Sequence, residues 1–164
     1  MLPFVVRRVR PEDLDACHRL EQCCFPPAEA ASREKVAARI ERFPEAFLVA
    51  EADGVVVGQV SCGATHKDDI TDEAFKALIG HHPDGRNLVV FTLTTDPGWR
   101  KRGVASALMA RLLADARARG RARVLLLCKD DLKGFYQGLG FADGGLSAST
   151  HGGTTWSEMR LDLG

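Results

Sequence analysis

The chain has no excess charge of either sign: 22 lysines and arginines stand against 22 aspartates and glutamates. A protein that grips duplex nucleic acid normally carries a net basic charge, which argues against that class of partner. Long apolar runs are also missing. The opening MLPFVVRRVR is too short and too basic for a signal peptide, and nothing later reaches the roughly 20 apolar residues of a membrane span. The expected partners therefore exclude a membrane, and the expected location is cytoplasmic. The five cysteines, Cys17, Cys23, Cys24, Cys62 and Cys128, are odd in number and lack both zinc-site and Cys-x-x-Cys spacing. Reduced, mostly buried thiols and no metal site are expected. Repeats, low-complexity stretches and linkers are absent, so a single domain over 1–164 is expected, as monomer or homodimer. Tyrosine occurs once, at Tyr136.

The charge is unevenly placed. Arg100 to Arg123 holds eight basic residues and one acid, Asp115, while Asp68 to Glu73 is acidic. A local basic face without a global excess suits a small polyanion. For Arg111, Arg117, Arg119, Arg121 and Arg123 the alternative is an ordinary solvated helix face.

Periodicity supplies the elements. Phe4–Val9 reads as a strand, and Pro11-Glu12-Asp13 opens a helix with Leu14, Cys17, Leu20 and Cys24 at helical spacing, ended by Pro26-Pro27. Ser32–Phe43 reads as a second helix with Val36, Ala37 and Ile40 on one face. Phe47–Glu51 and Val55–Ser61 flank Asp53-Gly54, a strong hairpin signal. Thr71–Ile79 is expected as a short helix, 87–94 as a strand, and 102–119 as an amphipathic helix. Val124–Cys128 reads as a strand covered on both faces, Leu132–Gln137 as a short helix, and Phe141 to Leu161 as a last hairpin. The order β-α-α-β-β-α-β-α-β-α-β-β implies an α/β protein with a mixed sheet, in which strand 87–94, helix 102–119 and strand 123–128 form a right-handed crossover.

The most informative segment is Thr95–Met109, TDPGWRKRGVASALM. A strand, a Pro-Gly break and a basic loop with one glycine lead directly into a helix. The first turn of a helix has unpaired N–H donors and the positive end of the dipole, so this is an anion site by construction. It lies at the carboxyl end of its strand, where ligands of α/β sheets bind.

In this setting the chain resembles the GCN5-related N-acetyltransferase superfamily. Arg100-x-x-Gly103-x-Ala105 matches that family's acetyl-CoA signature, and Tyr136-x-x-x-Gly140-Phe141 matches its later segment. A closer likeness, from about Val6 to Leu161, is to the arylalkylamine (serotonin) N-acetyltransferase branch, carried by RPEDLDACHRLEQCCF, HHPDGRNLVVF and CKDDLKGFYQGLGF. The resemblance implies the GNAT fold, a mixed, mostly antiparallel sheet of about seven strands flanked by helices with a central parallel pair. It implies acetyl-CoA as cosubstrate and a small-molecule amine as acceptor, by direct attack through a tetrahedral intermediate. It places the pantetheine arm and acetyl carbonyl on the backbone of Leu93, Thr94 and Thr95. The pyrophosphate falls to Lys101, Arg102, Gly103, Val104, Ala105 and Ser106, the thioester sulfur to Tyr136, and part of the amine pocket to Phe25. One departure is plain: counted without gaps from Arg100, the positions of that branch's His-x-His pair hold Val89 and Phe91, which are carried forward as substrate-site residues.

The chemistry needs a proton acceptor for the amine and a proton donor for the leaving thiolate. An alkylamine with a lysine-like pKa near 10.4 is neutral in about one molecule in a few thousand at pH 7. Glu21, beside Phe25 in sequence, is the candidate base or cation anchor; the alternative is an exposed helical glutamate. Tyr136 is the candidate acid, its phenol near 10 facing a thiol near 8.5. Cys128 is expected as a buried inert thiol, and His66, His81, His82 and His151 as surface residues. Two other functional readings stand beside this one: acetylation of a polyamine, with Asp68, Asp69, Asp72 and Glu73 as its acids, or of a protein N-terminus, and a catalytically silent acetyl-CoA-binding module.

Overall fold

The computed structural model describes residues 3–68, 70, 73–149 and 151–164. Its elements, in chain order, are β1 (Val5–Arg8), α1 (Leu14–Cys24), α2 (Arg33–Arg42), β2 (Phe47–Ala52), β3 (Val55–Thr65), β4 (Asn87–Thr95), α3 (Val104–Ala118), β5 (Arg123–Cys128), α4 (Lys133–Gly138), β6 (Ala142–Leu146) and β7 (Ser157–Asp162). The strands form one seven-stranded sheet in the order β1-β2-β3-β4-β5-β7-β6. β4 and β5 run parallel, while β1–β2, β2–β3, β5–β7 and β6–β7 are antiparallel. This is the mixed α/β arrangement the element order implies. By internal contacts the chain divides into two compact units, Met1–Cys62 with Thr92–Ala114, and Gly63–Phe91 with Asp115–Gly164.

In the first unit the hairpin turns at Asp53 and Gly54, whose φ angles of 49° and 79° are the left-handed pair that a two-residue turn requires. Ser32 caps α2, its hydroxyl accepting from the Lys35 N–H at 3.2 Å. Cys17 and Leu20 of α1 and Val36 and Ile40 of α2 bury one apolar stripe against Val9, Phe47, Val49 and Val56. β3 is covered from both sides. Its Gln59 donates to the Cys17 carbonyl of α1 at 3.1 Å, while a Cβ on neighbouring Gly58 would lie 2.6 Å from Val104 Cγ1 of α3. Glycine at 58 is therefore what lets the start of α3 approach the sheet. Coverage on both faces explains why β3 continues to Thr65, past the Ser61 end that alternation suggests: ten of its eleven residues are buried.

In the second unit Phe75, Val89 and Leu125 form a small apolar core, with Ile70 and Phe91 packed on it. The expected helix at 71–79 is a shorter 3-10 turn, Glu73–Ala77; Thr71 and Asp72 lie outside the described residues. Two of the arginines weighed as anion ligands have structural roles instead. Arg121 is buried and donates to the carbonyls of Gly85 at 2.6 Å and Pro83 at 3.1 Å. Arg123 pairs with Asp68 at 2.9 Å and Asp162 at 3.0 Å. Arg111, Arg117 and Arg119 are exposed. The sheet ends at β6, where all five residues are exposed and a bulge interrupts the register between Asp143 and Gly145.

Candidate functional site

β4 pairs with β5 in parallel from Asn87↔Arg123 to Val90↔Leu126. The last residues of β4, Thr92–Thr95, belong to the first unit. Among them Thr94 is buried, and its hydroxyl has no hydrogen-bond partner among the described residues. A buried hydroxyl without a partner is uncommon, and a ligand group is one way to satisfy it. Leu93 and Thr95 are half-buried, and the Thr95 carbonyl accepts the Cys24 thiol at 3.4 Å.

Beyond β4 the chain turns sharply. Asp96 accepts from the Gly98 N–H at 2.9 Å, and its own N–H donates to the Val57 carbonyl at 2.8 Å. Pro97–Trp99 makes one 3-10 turn. Lys101 and Gly103 then both take left-handed backbone, with φ of 62° and 82°. Left-handed residues separated by one position fold successive N–H groups into a concavity that suits an anion. α3 begins at Val104, and the Ala107 N–H to Gly103 carbonyl bond at 3.0 Å is the first to close. The N–H groups of Val104, Ala105 and Ser106 precede it and have no intrahelical acceptor. Arg100, Lys101, Arg102, Gly103 and Ser106 are exposed, and the Arg102 guanidinium lies 4.8 Å from the Trp99 ring centroid. Val104 is buried beneath the sheet at Gly58, so its side chain anchors the helix while its backbone remains with the loop.

The amine-side candidates of the same unit lie on α1. Glu21 is only 2% exposed, so the exposed-glutamate alternative is not what the fold contains. One carboxylate oxygen accepts the Ala31 N–H at 2.8 Å and the other accepts Gln59 Nε2 at 3.4 Å. Arg39, also buried, is the nearby cation; burial lowers its guanidinium to about 10, and Glu21 works against that shift. Glu21 thereby ties the segment after α1 to β3. Phe25, half-buried, is the first residue of that segment.

In the second unit Tyr136 is buried, with its ring edge-on to Phe135 at 5.1 Å and Phe141 at 5.7 Å. Burial raises its phenol well above the usual tyrosine range, and Cys128 adds to the shift. Cys128 is itself buried, and burial pushes it up to about 11. Val89 is a core residue, and Phe91 meets the Phe75 ring edge-on at 5.4 Å. A Cβ on Gly63 would lie 2.6 Å from the Phe91 ring, so the glycine makes room for it. His81 is half-buried rather than on the surface, its Nδ1 accepting the Ala64 N–H at 3.0 Å.

The sequence candidates therefore fall into two groups. Leu93 to Ser106 stands with Glu21 and Phe25 in the first unit, and Tyr136 with Val89 and Phe91 in the second. Sequence reasoning missed the Thr94 hydroxyl, the Arg102–Trp99 stack and the Cys24–Thr95 contact. Only the adjacency of Arg102 to Trp99 left a local trace.

Comparison with known proteins follows the same lines. A family model described as the Acetyltransferase (GNAT) family matches residues 14–141. The chain is 29% identical to a probable hydrolase of Bacillus subtilis over 64% of its own length and 22% of that protein. It is 30% identical to the serotonin N-acetyltransferase of Mesocricetus auratus over 73% of its length and 57% of that protein. It thus spans about a fifth and somewhat over half of these two relatives. Among solved structures, a GNAT-like decarboxylase in complex with isobutyryl-CoA superposes with a TM-score of 0.86 at 24% identity, covering 98% of this chain and 100% of that one. A Salmonella typhimurium protein solved with its cofactor acetyl-CoA superposes with a TM-score of 0.71 at 18% identity, covering 99% and 95%. The family's cosubstrate is acetyl-CoA. With its parallel β4–β5 pair, its left-handed basic loop at the start of α3, and a family match across most of its length, the chain belongs to the GNAT acetyltransferase family.

Proposed function

We propose that this chain transfers the acetyl group of acetyl-CoA to the primary amine of a small molecule, with an arylalkylamine as the substrate class. The observation that carries the donor half is the loop at 100–103. Left-handed Lys101 and Gly103, exposed cations and the first N–H groups of α3 together form a cradle of the right charge for a pyrophosphate. Leu93, Thr94 and Thr95 then offer backbone to the pantetheine arm, and the Thr94 hydroxyl gains a partner. When bound, acetyl-CoA supplies the activated thioester carbonyl. One backbone N–H placed for its developing oxyanion is typically worth roughly 3–4 kcal/mol.

Tyr136 serves the leaving group. Burial raises its phenol, so it stays protonated through neutral pH and acts by hydrogen-bonding the sulfur as negative charge develops there, although it is a weaker acid than a free phenol. Glu21 is assigned a positioning role, because both of its oxygens are engaged within the fold. Val89 and Phe91 pack with Phe75 in the small apolar core and offer no imidazole to carry the amine proton. Phe25, half-buried just after α1, supplies aromatic surface suited to an aryl acceptor, and the likeness to a serotonin N-acetyltransferase supports the same class. The polyamine alternative draws less support. Of its four candidate acids, Asp68 is engaged by Arg86, Arg123 and Asn87.

The test is thiol release from acetyl-CoA with tryptamine, phenethylamine, spermidine and a peptide N-terminus as acceptors. Turnover is expected with the aryl amines. Preference for spermidine or the peptide would replace the substrate class, and no release with any acceptor would refute the activity.

A further inference from the structure

We propose that Cys23 and Cys24 form a dithiol modification site for trivalent, thiophilic centres that bond two sulfurs at once, and that such a bridge releases the end of β4. The two residues close α1, and their Sγ atoms lie 3.6 Å apart. Two sulfurs about 2.3 Å from one pyramidal trivalent centre, at an angle of about 100°, lie about 3.5 Å apart, whereas a disulfide needs about 2.0 Å. The spacing therefore suits a one-atom bridge without unwinding the last turn, which the Phe25 N–H to Glu21 carbonyl bond at 3.1 Å holds closed.

Cys23 is exposed and Cys24 half-buried, while Cys17, Cys62 and Cys128 are all buried. Selectivity follows from that distribution. Burial pushes the Cys24 thiol up to about 11, with Arg100 acting in the opposite direction. The first bond accordingly forms at Cys23, and Cys24 closes the ring once the centre is anchored beside it.

Bridging matters because the Cys24 thiol donates to the Thr95 carbonyl at 3.4 Å. With phenylarsine oxide two S–As bonds form, two S–H bonds and the As–O bond break, and the oxygen leaves with both protons as water. Arsenic stays trivalent and no electron is transferred. The Thr95 carbonyl loses its donor. The adduct rests on the geometry of α1 alone; its consequence for cosubstrate binding rests on the acetyl-CoA reading above.

The experiment treats the whole folded protein with phenylarsine oxide, removes monodentate adducts with excess 2-mercaptoethanol, and records intact mass. A single arsenical per chain is expected, resistant to the monothiol and removed by dimercaptopropanol, with two fewer titratable thiols. Cys23→Ser and Cys24→Ser should each abolish the resistant adduct. No resistant adduct in the parent protein, or its survival in either variant, overturns the site. Calorimetry then compares coenzyme A binding before and after bridging, with several-fold weakening expected. An adduct that leaves affinity unchanged overturns the link to β4. Unmodified protein that does not bind coenzyme A at all would instead count against the acetyl-CoA reading, since the adduct is scored by mass alone.

Discussion

Gly103 offers a way to separate backbone geometry from electrostatics in the loop. Its φ of 82° is left-handed, and a Cβ built there has no atom within 4 Å. A side chain at 103 therefore meets strain but no collision. The strain is about 1–2 kcal/mol, which for a chain of this length lowers Tm by roughly 2–4 °C per kcal/mol. Gly103→Gln and Gly103→Glu should share that loss, being of one size. They differ by one negative charge beside the proposed pyrophosphate. A unit pair at 4 Å is worth about 1 kcal/mol in water and about 4 kcal/mol near a protein surface. For an exposed loop facing a doubly charged group we take about 2 kcal/mol, or roughly 30-fold in Kd. Calorimetric titration with coenzyme A reads this difference directly, and thermal unfolding checks that both variants remain folded. The gap should narrow between 0.1 and 1 M salt, as the Debye length falls from about 10 to about 3 Å. Equal affinities for the Gln and Glu variants at low salt would show that the phosphates bind elsewhere.

Three further outcomes follow. Tyr136→Phe should lower turnover by about 100-fold with little change in coenzyme A affinity; it should also soften alkaline unfolding, because the fold holds the phenol neutral, so this stability is intact below about 10 and lost as pH rises through the raised native value, as urea titrations at pH 8 and 11 would read. Glu21→Ala removes the buried carboxylate that opposes the desolvation of Arg39 and frees the Ala31 N–H; a loss of about 3 kcal/mol is expected by urea unfolding, and a loss below about 1 kcal/mol would refute the anchoring role of Glu21. Gly63→Ala drives a methyl group into the Phe91 ring and should cost about 1–3 kcal/mol, with Phe91→Leu in the same chain restoring part of it.

Much of the fold was legible locally. Asp53-Gly54 specified its hairpin, and Val104, Leu108, Leu112 and Ala116 described the buried side of α3, because turn chemistry and helical period are properties of neighbouring residues. The loop at 100–106 was legible for the same reason, and Val89 with Phe91 were already visible as departures. What stayed hidden depended on distant partners. Glu21 looks like any helical glutamate until Ala31, Gln59 and Arg39 surround it. Arg121 and Arg123 looked like part of a basic face, yet they brace Pro83, Gly85, Asp68 and Asp162. The extent of β3 was missed because burial on both faces erases the alternation that marks a strand's end.

The far border of the sheet has its own effect on how the protein behaves at high concentration. β6 is a Gly-Gly strand kinked by one extra residue, with Asp143 tied to the Gly145 N–H at 2.8 Å and to Lys133 at 3.0 Å. A strand bent in this way cannot present the regular row of donors and acceptors that an eighth strand would need, even though its last residue, Leu146, is 78% exposed. The growth of the sheet is ended by backbone geometry rather than by a covering element, so deleting Gly144 to straighten the strand would convert a closed border into a seed for self-association.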